Sequence, residues 1–498
     1  MRLGVDFGTT HTVVTMVDRG NYPVVGFEGG DPLPSLAAVL PSGELRFGFE
    51  AAAVRHEPGV SVLRSFKRLL ADAGPRTGIE AGGRFVLLLD LLAGFLSQVR
   101  EDLLARSNAG IGEDEPLEAA VSVPANSSSA QRFLTLEAFR AAGWVPVALL
   151  NEPSAAGFEY AHRFRSTITS RREHVLVYDL GGGTFDASLV RMTGRTNEVV
   201  TSEGVRRLGG DDFDEAILRA VLERAGAGEP DEETRDLLLE ECARQKEAVG
   251  PNTRKLVLDL SPLDLPPVAL PIEEAYEACA PLVERTIEAS EPVLAAAGVE
   301  ESELAGVYVV GGAGAFPLVG RRLRERFGER RVKRSPHPFA ATAVGLALFL
   351  DGEAGYTLAD RLTRHFGVFR EAAAGEEVVF DPIFPKDLAL PSPGEAPLVA
   401  VRRYRAAHDL GHFRFVECSR IVDGRPDGDV APWQDLKFPF SAALRGRRLD
   451  GAAVSRLPEP GPEVEEVYSC SDAGAVSVTI RVPADGFSRT FRLGRPAL

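Results

Sequence analysis

The apolar run Val175-Leu176-Val177-Tyr178 stops at Asp179, and Gly181-Gly182-Gly183 follow. From Thr184 to Val190 apolar and polar positions alternate, as a returning strand requires. The pattern predicts a β-hairpin with a glycine turn. A second copy lies near the start, where Leu3-Gly4-Val5 leads to Asp6, a Gly8-Thr9-Thr10 turn and the strand-like Thr12-Val13-Val14-Thr15. The two aspartates stand 173 positions apart, and duplication at that spacing predicts two similar α/β lobes facing across a cleft.

Between these hairpins the pattern shifts repeatedly. Gly26 to Gly48 is rich in Gly and Pro around a short strand, Ala37 to Leu40, and a helical stretch follows near Ala51 to Val54. Leu87 to Leu104 has helical periodicity, and Leu117 to Val123 reads as a strand. A helix through Ala130-Gln131-Arg132 should stop at Ala142-Gly143, because glycine ends helices readily. The short strand Val147 to Leu150 then enters Asn151-Glu152-Pro153, where Pro153 suits the first turn of a helix. Small residues from Ala340 to Leu350 predict a tightly packed helix, and from Phe366 onward short strands with Gly, Pro and Asp turns predict an all-β sandwich.

The hairpins suggest chemistry. Glycine turns let backbone N–H groups converge on an anion, while an aspartate at a strand tip can hold hydrated Mg²⁺ beside it. Thr9, Thr10 and Thr184 add hydroxyls at phosphate reach. Two such hairpins could grip one polyphosphate from both sides. Lys67, in Ser65-Phe66-Lys67-Arg68, reads alone as a solvated cation, and Glu152 at its strand-to-helix junction as a capping carboxylate.

Composition narrows the classes. The 498 residues allow several domains, and 44% hydrophobic with 26% charged residues is ordinary for a globular protein. The net charge of −16 is spread without a basic stripe, which disfavours nucleic acid and anionic membranes as partners. Cys242, Cys279, Cys418 and Cys470 form no C-x-x-C pair, so free thiols in a reducing compartment are expected. The first strand starts at Leu3 with no targeting peptide before it, and Phe85 to Leu96 is too short to span a bilayer. These features point to the cytoplasm.

Five motifs in order give a specific resemblance. They are V-P-A-(x4)-A-Q-R from Pro124 and its neighbours to Arg132, N-E-P-S-A-A at Asn151, D-L-G-G-G-T-F-D at Asp179, L-G-G-D-D-F-D at Leu208, and V-Y-V-V-G-G-A-G-A-F-P at Val307. Together they resemble the seventy-kilodalton heat-shock chaperone family, within the actin and hexokinase ATPase superfamily. The resemblance implies a two-lobed, actin-like α/β ATPase domain over 1–351, a linker over 352–360 and a β-sandwich substrate-binding-like domain over 361–498. Typical members of the family add a helical lid, and with the sequence ending at Leu498 this chain is expected to lack one.

The function implied is an ATP-dependent chaperone of protein folding and stress response, which binds unfolded or extended polypeptide and works with co-chaperones and nucleotide-exchange factors. ATP with Mg²⁺, and a monovalent cation such as K⁺, would lie between the lobes. Asp6 and Asp179 would hold the metal through its waters. Gly8, Thr9, Thr10, His11, Gly181, Gly182, Gly183, Gly209, Gly210, Asp211, Lys246, Gly311, Gly312 and Ala313 would line the nucleotide. Lys67, Glu152, Thr184 and Asp186 would be catalytic, with Pro124 and Arg132 relaying nucleotide state.

The departures gather at the base end. Ala315 replaces an arginine that packs on adenine, Ala243 and Gly250 replace partners of Lys246, and Phe339 stands where the family often has aspartate. His11 replaces a small polar residue and reads as a solvated loop-tip histidine. The linker, Gly352 to Asp360, offers only Tyr356 and Leu358 as apolar anchors. These changes leave open a degenerate member that uses ATP as a structural switch for a protein-interaction module. An actin-like filament subunit is the least supported alternative.

Overall fold

The computed structural model describes residues 1–72, 77–112, 114–125, 127–372, 376–392, 394–449, 452–457 and 461–492. Ala373–Gly375 in the expected opening hairpin of the sandwich, and the terminal Leu498, lie outside them. The chain forms two compact units. One comprises Met1–Lys67, Gln98–Ala125 and Leu150–Leu358, and the other Arg68–Ser97, Asn126–Leu149 and Ala359–Leu498.

The first unit contains both hairpins. Arg2–Phe7 and His11–Met16 pair antiparallel, with Glu118–Val123 parallel on the outer side of the first strand and Leu33–Pro34 beyond the second. The second sheet repeats this order. His174–Leu180 and Thr184–Thr193 pair antiparallel, Leu304–Val310 lies parallel outside the first, and Thr196–Arg206 follows the second. Even the turns match: Gly8 N–H donates to the His11 carbonyl and Gly181 N–H to the Thr184 carbonyl, each at 3.0 Å. The 173-residue duplication is therefore structural as well as sequential.

The continuous apolar run before Asp179 has a simple cause, because the second sheet is covered on both faces. Leu176, Tyr178 and Leu180 pack with Phe213, Ile217 and Val283, whereas Val175 and Val177 face Ala156, Tyr160 and Tyr308. The small-residue helix Ala341–Leu350 forms as expected and meets the helix Glu152–Arg163 backbone to backbone. A Cβ on Gly345 would overlap the Ala155 carbonyl, and one on Gly4 would come within 2.7 Å of the Ala347 nitrogen. Only glycine fits such approaches.

The segment after this helix is more ordered than its composition suggested. Thr357–Ala359 adds a strand at the edge of the second sheet, with Thr357 N–H donating to the Arg195 carbonyl at 3.0 Å. The Thr357 hydroxyl meets that of Thr196 at 2.8 Å, and the Tyr356 ring lies 5.5 Å from Phe158. Backbone pairing does here what apolar side chains would otherwise do.

The second unit holds two four-stranded antiparallel sheets. One runs Glu377–Phe384, His365–Ala372, Leu410–Val422, Arg425–Pro439, and the other Leu398–Arg405, Glu463–Cys470, Val476–Val482, Phe487–Arg492. Phe366, Phe413, Phe415 and Phe438 interdigitate with Tyr468, Val478 and Ile480 between them, the β-sandwich expected from the strand spacing. A short hairpin, Gly78–Ala81 with Arg84–Leu87, had no sequence signal beyond Gly82-Gly83. The helix Ser129–Ala141 is capped by Ser128, whose Oγ accepts from the Gln131 N–H, and Gly143 at φ 80° follows its end.

Candidate functional site

Within the first unit, the two hairpin turns touch. A Cβ on Gly182 would stand 2.9 Å from Thr10 Oγ1, so glycine is what lets the second turn approach the first. The turn before the helix Gly210–Ala225 is stitched to the same place. Gly210 N–H donates to the Gly181 carbonyl at 2.9 Å and Asp211 N–H to the Gly182 carbonyl at 2.7 Å. This brings the positive dipole end of a helix to the glycine turn, with its first two N–H groups committed to that turn's carbonyls.

Asp179 lies in register with Val310, so its tip reaches the Gly311-Gly312 turn. There, Gly311 at φ 80° leaves no room for a Cβ, which would meet Asp179 Oδ1 at 2.5 Å. The expected residues of four separate segments thus converge: Gly8 to His11, Gly181 to Asp186, Gly209 to Asp211, and Gly311 to Ala313.

Lys67 is not the solvated cation that its residue type alone suggests. It sits in the 3₁₀ turn Phe66–Asp72, 5% exposed, with Nζ 3.1 Å from Glu152 Oε1 and 5.4 Å from the Phe7 ring centre. Four carboxylates face this one ammonium group. Burial, then repulsion from Glu152, pushes Asp6 up to about 6, against attraction to Lys67 and a 2.9 Å hydrogen bond from Ser122. The same two causes push Asp186 up to about 7. Asp179 is raised well above the usual range by burial, with Glu152, Asp186 and Asp6 adding to it.

Such an excess of buried negative charge fits a cation. Among the described residues no three His, Cys, Asp or Glu side chains lie close enough to ligate a metal directly. The donor set therefore fits Mg²⁺ held through its own waters, since Mg²⁺ dehydrates reluctantly.

The family model described as Hsp70 protein matches residues 90–356. A chaperone protein HscA from Escherichia fergusonii is 33% identical over 515 residues, which cover 98% of this chain and 77% of that protein. The chain belongs to the Hsp70 family. It is also 34% identical over 366 residues to a chaperone protein HscA homolog from Ralstonia nicotianae, covering 70% of this chain. The chaperone protein HscA of Cronobacter sakazakii is 34% identical over 374 residues. The chain spans 57% of the length of these last two relatives.

Other expected residues of this Hsp70-family chain take different positions. Lys246 is 8% exposed and turned inward, donating to the Gly210 carbonyl at 2.7 Å and pairing with Asp214 at 2.8 Å. It braces the 209–210 turn. Burial pushes Asp214 up to about 7 despite that lysine. Asp214 ends the L-G-G-D-D-F-D motif, and its aspartate run was the available signal.

His11 is a correction. It opens the strand His11–Met16 and is largely buried, with its ring 5.8 Å from Phe339 in an edge-on arrangement. Burial lowers its pKa, opposed by Glu247. The strand pattern in the sequence begins at Thr12, one position short of His11, and its ring partner Phe339 lies over three hundred residues away. At Ala315, the backbone carbonyl accepts from Arg334 Nη2 at 2.6 Å, a contact with no sequence signal.

Pro124 directly follows the strand Glu118–Val123 in the first unit. Arg132 belongs to the second, 4% exposed, with Nη1 3.3 Å from the Ala473 carbonyl. One turn earlier, Ser129 donates its N–H to Glu417 Oε2 at 3.1 Å and its hydroxyl to Oε1. Burial raises the Glu417 pKa against these hydrogen bonds and the nearby Arg364, 4.0 Å away.

Proposed function

We propose that this chain is an ATP-driven chaperone. It binds and hydrolyses Mg–ATP in its nucleotide-binding part, 1–351, and couples nucleotide state through 352–360 to polypeptide binding by the sandwich, 361–498. The observation that carries this reading is the set of four carboxylates around Lys67 beside two matched glycine turns.

The turn amides at Gly8 and Gly181 to Gly183, with Thr9 and Thr10, bind phosphate oxygens. Asp6 and Asp179 hold the metal through water. Mg²⁺ supplies charge neutralisation on the phosphates, and a monovalent cation such as K⁺ fits the same carboxylate set. Lys67 neutralises charge on the transferring phosphoryl group, while Glu152, Thr184 and Asp186 orient the attacking water. Hydrolysis asks for little more than this positioning and charge compensation. Asp186, raised to about 7, is poised to accept the water's proton near neutral pH.

Ser129, Arg132 and Pro124 carry the nucleotide state to the sandwich. There, two edge strands offer unpaired backbone and exposed Val378, Val379, Val399 and Val401 to an extended polypeptide. Co-chaperones and exchange factors are the further partners, with no role for nucleic acid or membrane. No helix among the described residues is long and apolar enough to cross a membrane. Four buried free cysteines suit a reducing cytoplasm.

Single-turnover hydrolysis with and without an extended apolar peptide tests the proposal. Wild-type protein should hydrolyse ATP and respond to peptide, whereas Lys67→Ala should bind ATP yet slow hydrolysis at least about a hundredfold, the scale of one transition-state charge contact. An unchanged Lys67→Ala rate would remove that lysine from the mechanism. Turnover indifferent to peptide would break the coupling.

A further inference from the structure

Phe339 is 38% exposed in a chain whose phenylalanines mostly lie in the core. Its ring rests on Gly312, so closely that a Cβ there would overlap it. The backbone is pinned on both sides, since the Pro338 carbonyl accepts from Gly311 N–H at 3.2 Å and Ala340 N–H donates to the His337 carbonyl at 2.9 Å. His11 braces the ring edge-on at 5.8 Å and 80°. The ring thus spans two parts of the phosphate cradle: His11 closes the first hairpin turn, and Gly311-Gly312 flanks Asp179.

An aromatic face held rigid and partly open beside an anion site is suited to stack a planar ring attached to that anion. Ala315, in the same turn, offers the base no side chain beyond a methyl, and its carbonyl is taken by Arg334. Glu247 is the charge facing His11 and favours no anion there.

We propose that Phe339, seated on Gly312 and braced by His11, is the stacking face for the nucleoside of a bound purine nucleoside triphosphate. The inference rests on the nucleotide-binding reading above. Stacking uses the π-face that every base has, so this contact gives affinity with little preference between adenine and guanine.

The test measures binding of Mg²⁺ complexes of ATP, GTP and inorganic tripolyphosphate by calorimetry. Phe339→Ala should weaken ATP and GTP about tenfold or more and leave tripolyphosphate unchanged. Phe339→Trp should restore nucleotide affinity and show indole quenching by ATP but not by tripolyphosphate. Equal weakening of all three ligands by Phe339→Ala would mean that the ring only props the turn, and would overturn the proposal. So would unchanged ATP binding in that variant. Wild-type protein that bound tripolyphosphate no more weakly than ATP would overturn the stacking face but keep the phosphate cradle. Wild-type protein that bound none of the three would fail the nucleotide reading itself.

Discussion

Asp6 and Asp186 carry the pH dependence of the cradle. Both folded-state values, about 6 and about 7, lie above the ordinary 3.8. Their contribution to stability is therefore full below about 3.8 and lost as pH rises through 6 and then 7. Without metal, the melting temperature of the first unit should fall across that window, and saturating Mg²⁺ should flatten the decline. Mg²⁺ binding at pH 6.5 should also release protons, seen as a binding heat that changes with the ionisation enthalpy of the buffer. A melting temperature rising with pH between 4 and 7 in metal-free protein would show that burial does not govern these carboxyls. Asp6 was legible in the sequence because it ends an apolar run before a glycine turn, and Asp186 because it stands in the alternating strand that returns from one. Ser122, Glu247 and the contact of Phe339 with His11 were not, since their partners come from distant segments and no local pattern marks them.

Among the elements, the edge strand Thr357–Ala359 has the clearest consequence. Its Thr357 N–H gives one ladder hydrogen bond to Arg195, and proline at that position would remove the donor. Thr357→Pro should cost about 1 kcal/mol locally and speed protease cleavage between Gly352 and Asp360, with the rest of the first unit unchanged. Cleavage at the wild-type rate would show that side chains such as Tyr356 hold the segment alone. Strand-forming capacity was hidden here because three residues are too few for alternation to show. The hairpins and the helix Leu88–Ala105 were legible from their patterning, and Ala341–Leu350 from its run of small apolar residues. The short hairpin at Gly78 was not, because only Gly82-Gly83 punctuates it.

At the scale of the whole molecule, two compact units should give two thermal transitions. Mg–ATP should raise only the one belonging to the phosphate cradle. The other depends on a buried charge cluster that bridges the two sheets of the sandwich: Arg370 pairs with Glu466 at 2.7 Å and with Asp381 at 2.6 Å, and Arg402 joins Asp381 at 3.0 Å. Glu466 is fully buried, so Glu466→Gln would leave Arg370 short of its partner and should cost about 3 kcal/mol. Calorimetry should show that loss in one transition alone; a loss shared by both would mean the units unfold together. Duplication was readable from two aspartates, and the sandwich from turn spacing. The drawing of Asn126–Leu149 into the second unit was not, because contact partners decide it rather than periodicity. The glycine-faced crossing of Glu152–Arg163 with Ala341–Leu350 also acts at this scale. Where Gly345 meets the Ala155 backbone no side chain separates the helices, and one stacked pair, Phe158 with Phe349 at 5.6 Å, bridges them farther along. Ridges seated in grooves must climb out of register before they can slide, but bare backbone surfaces need not. The crossing is therefore a pivot that is bare at Gly345 and keyed by the Phe158–Phe349 stack, so rotation about it must reseat that ring pair.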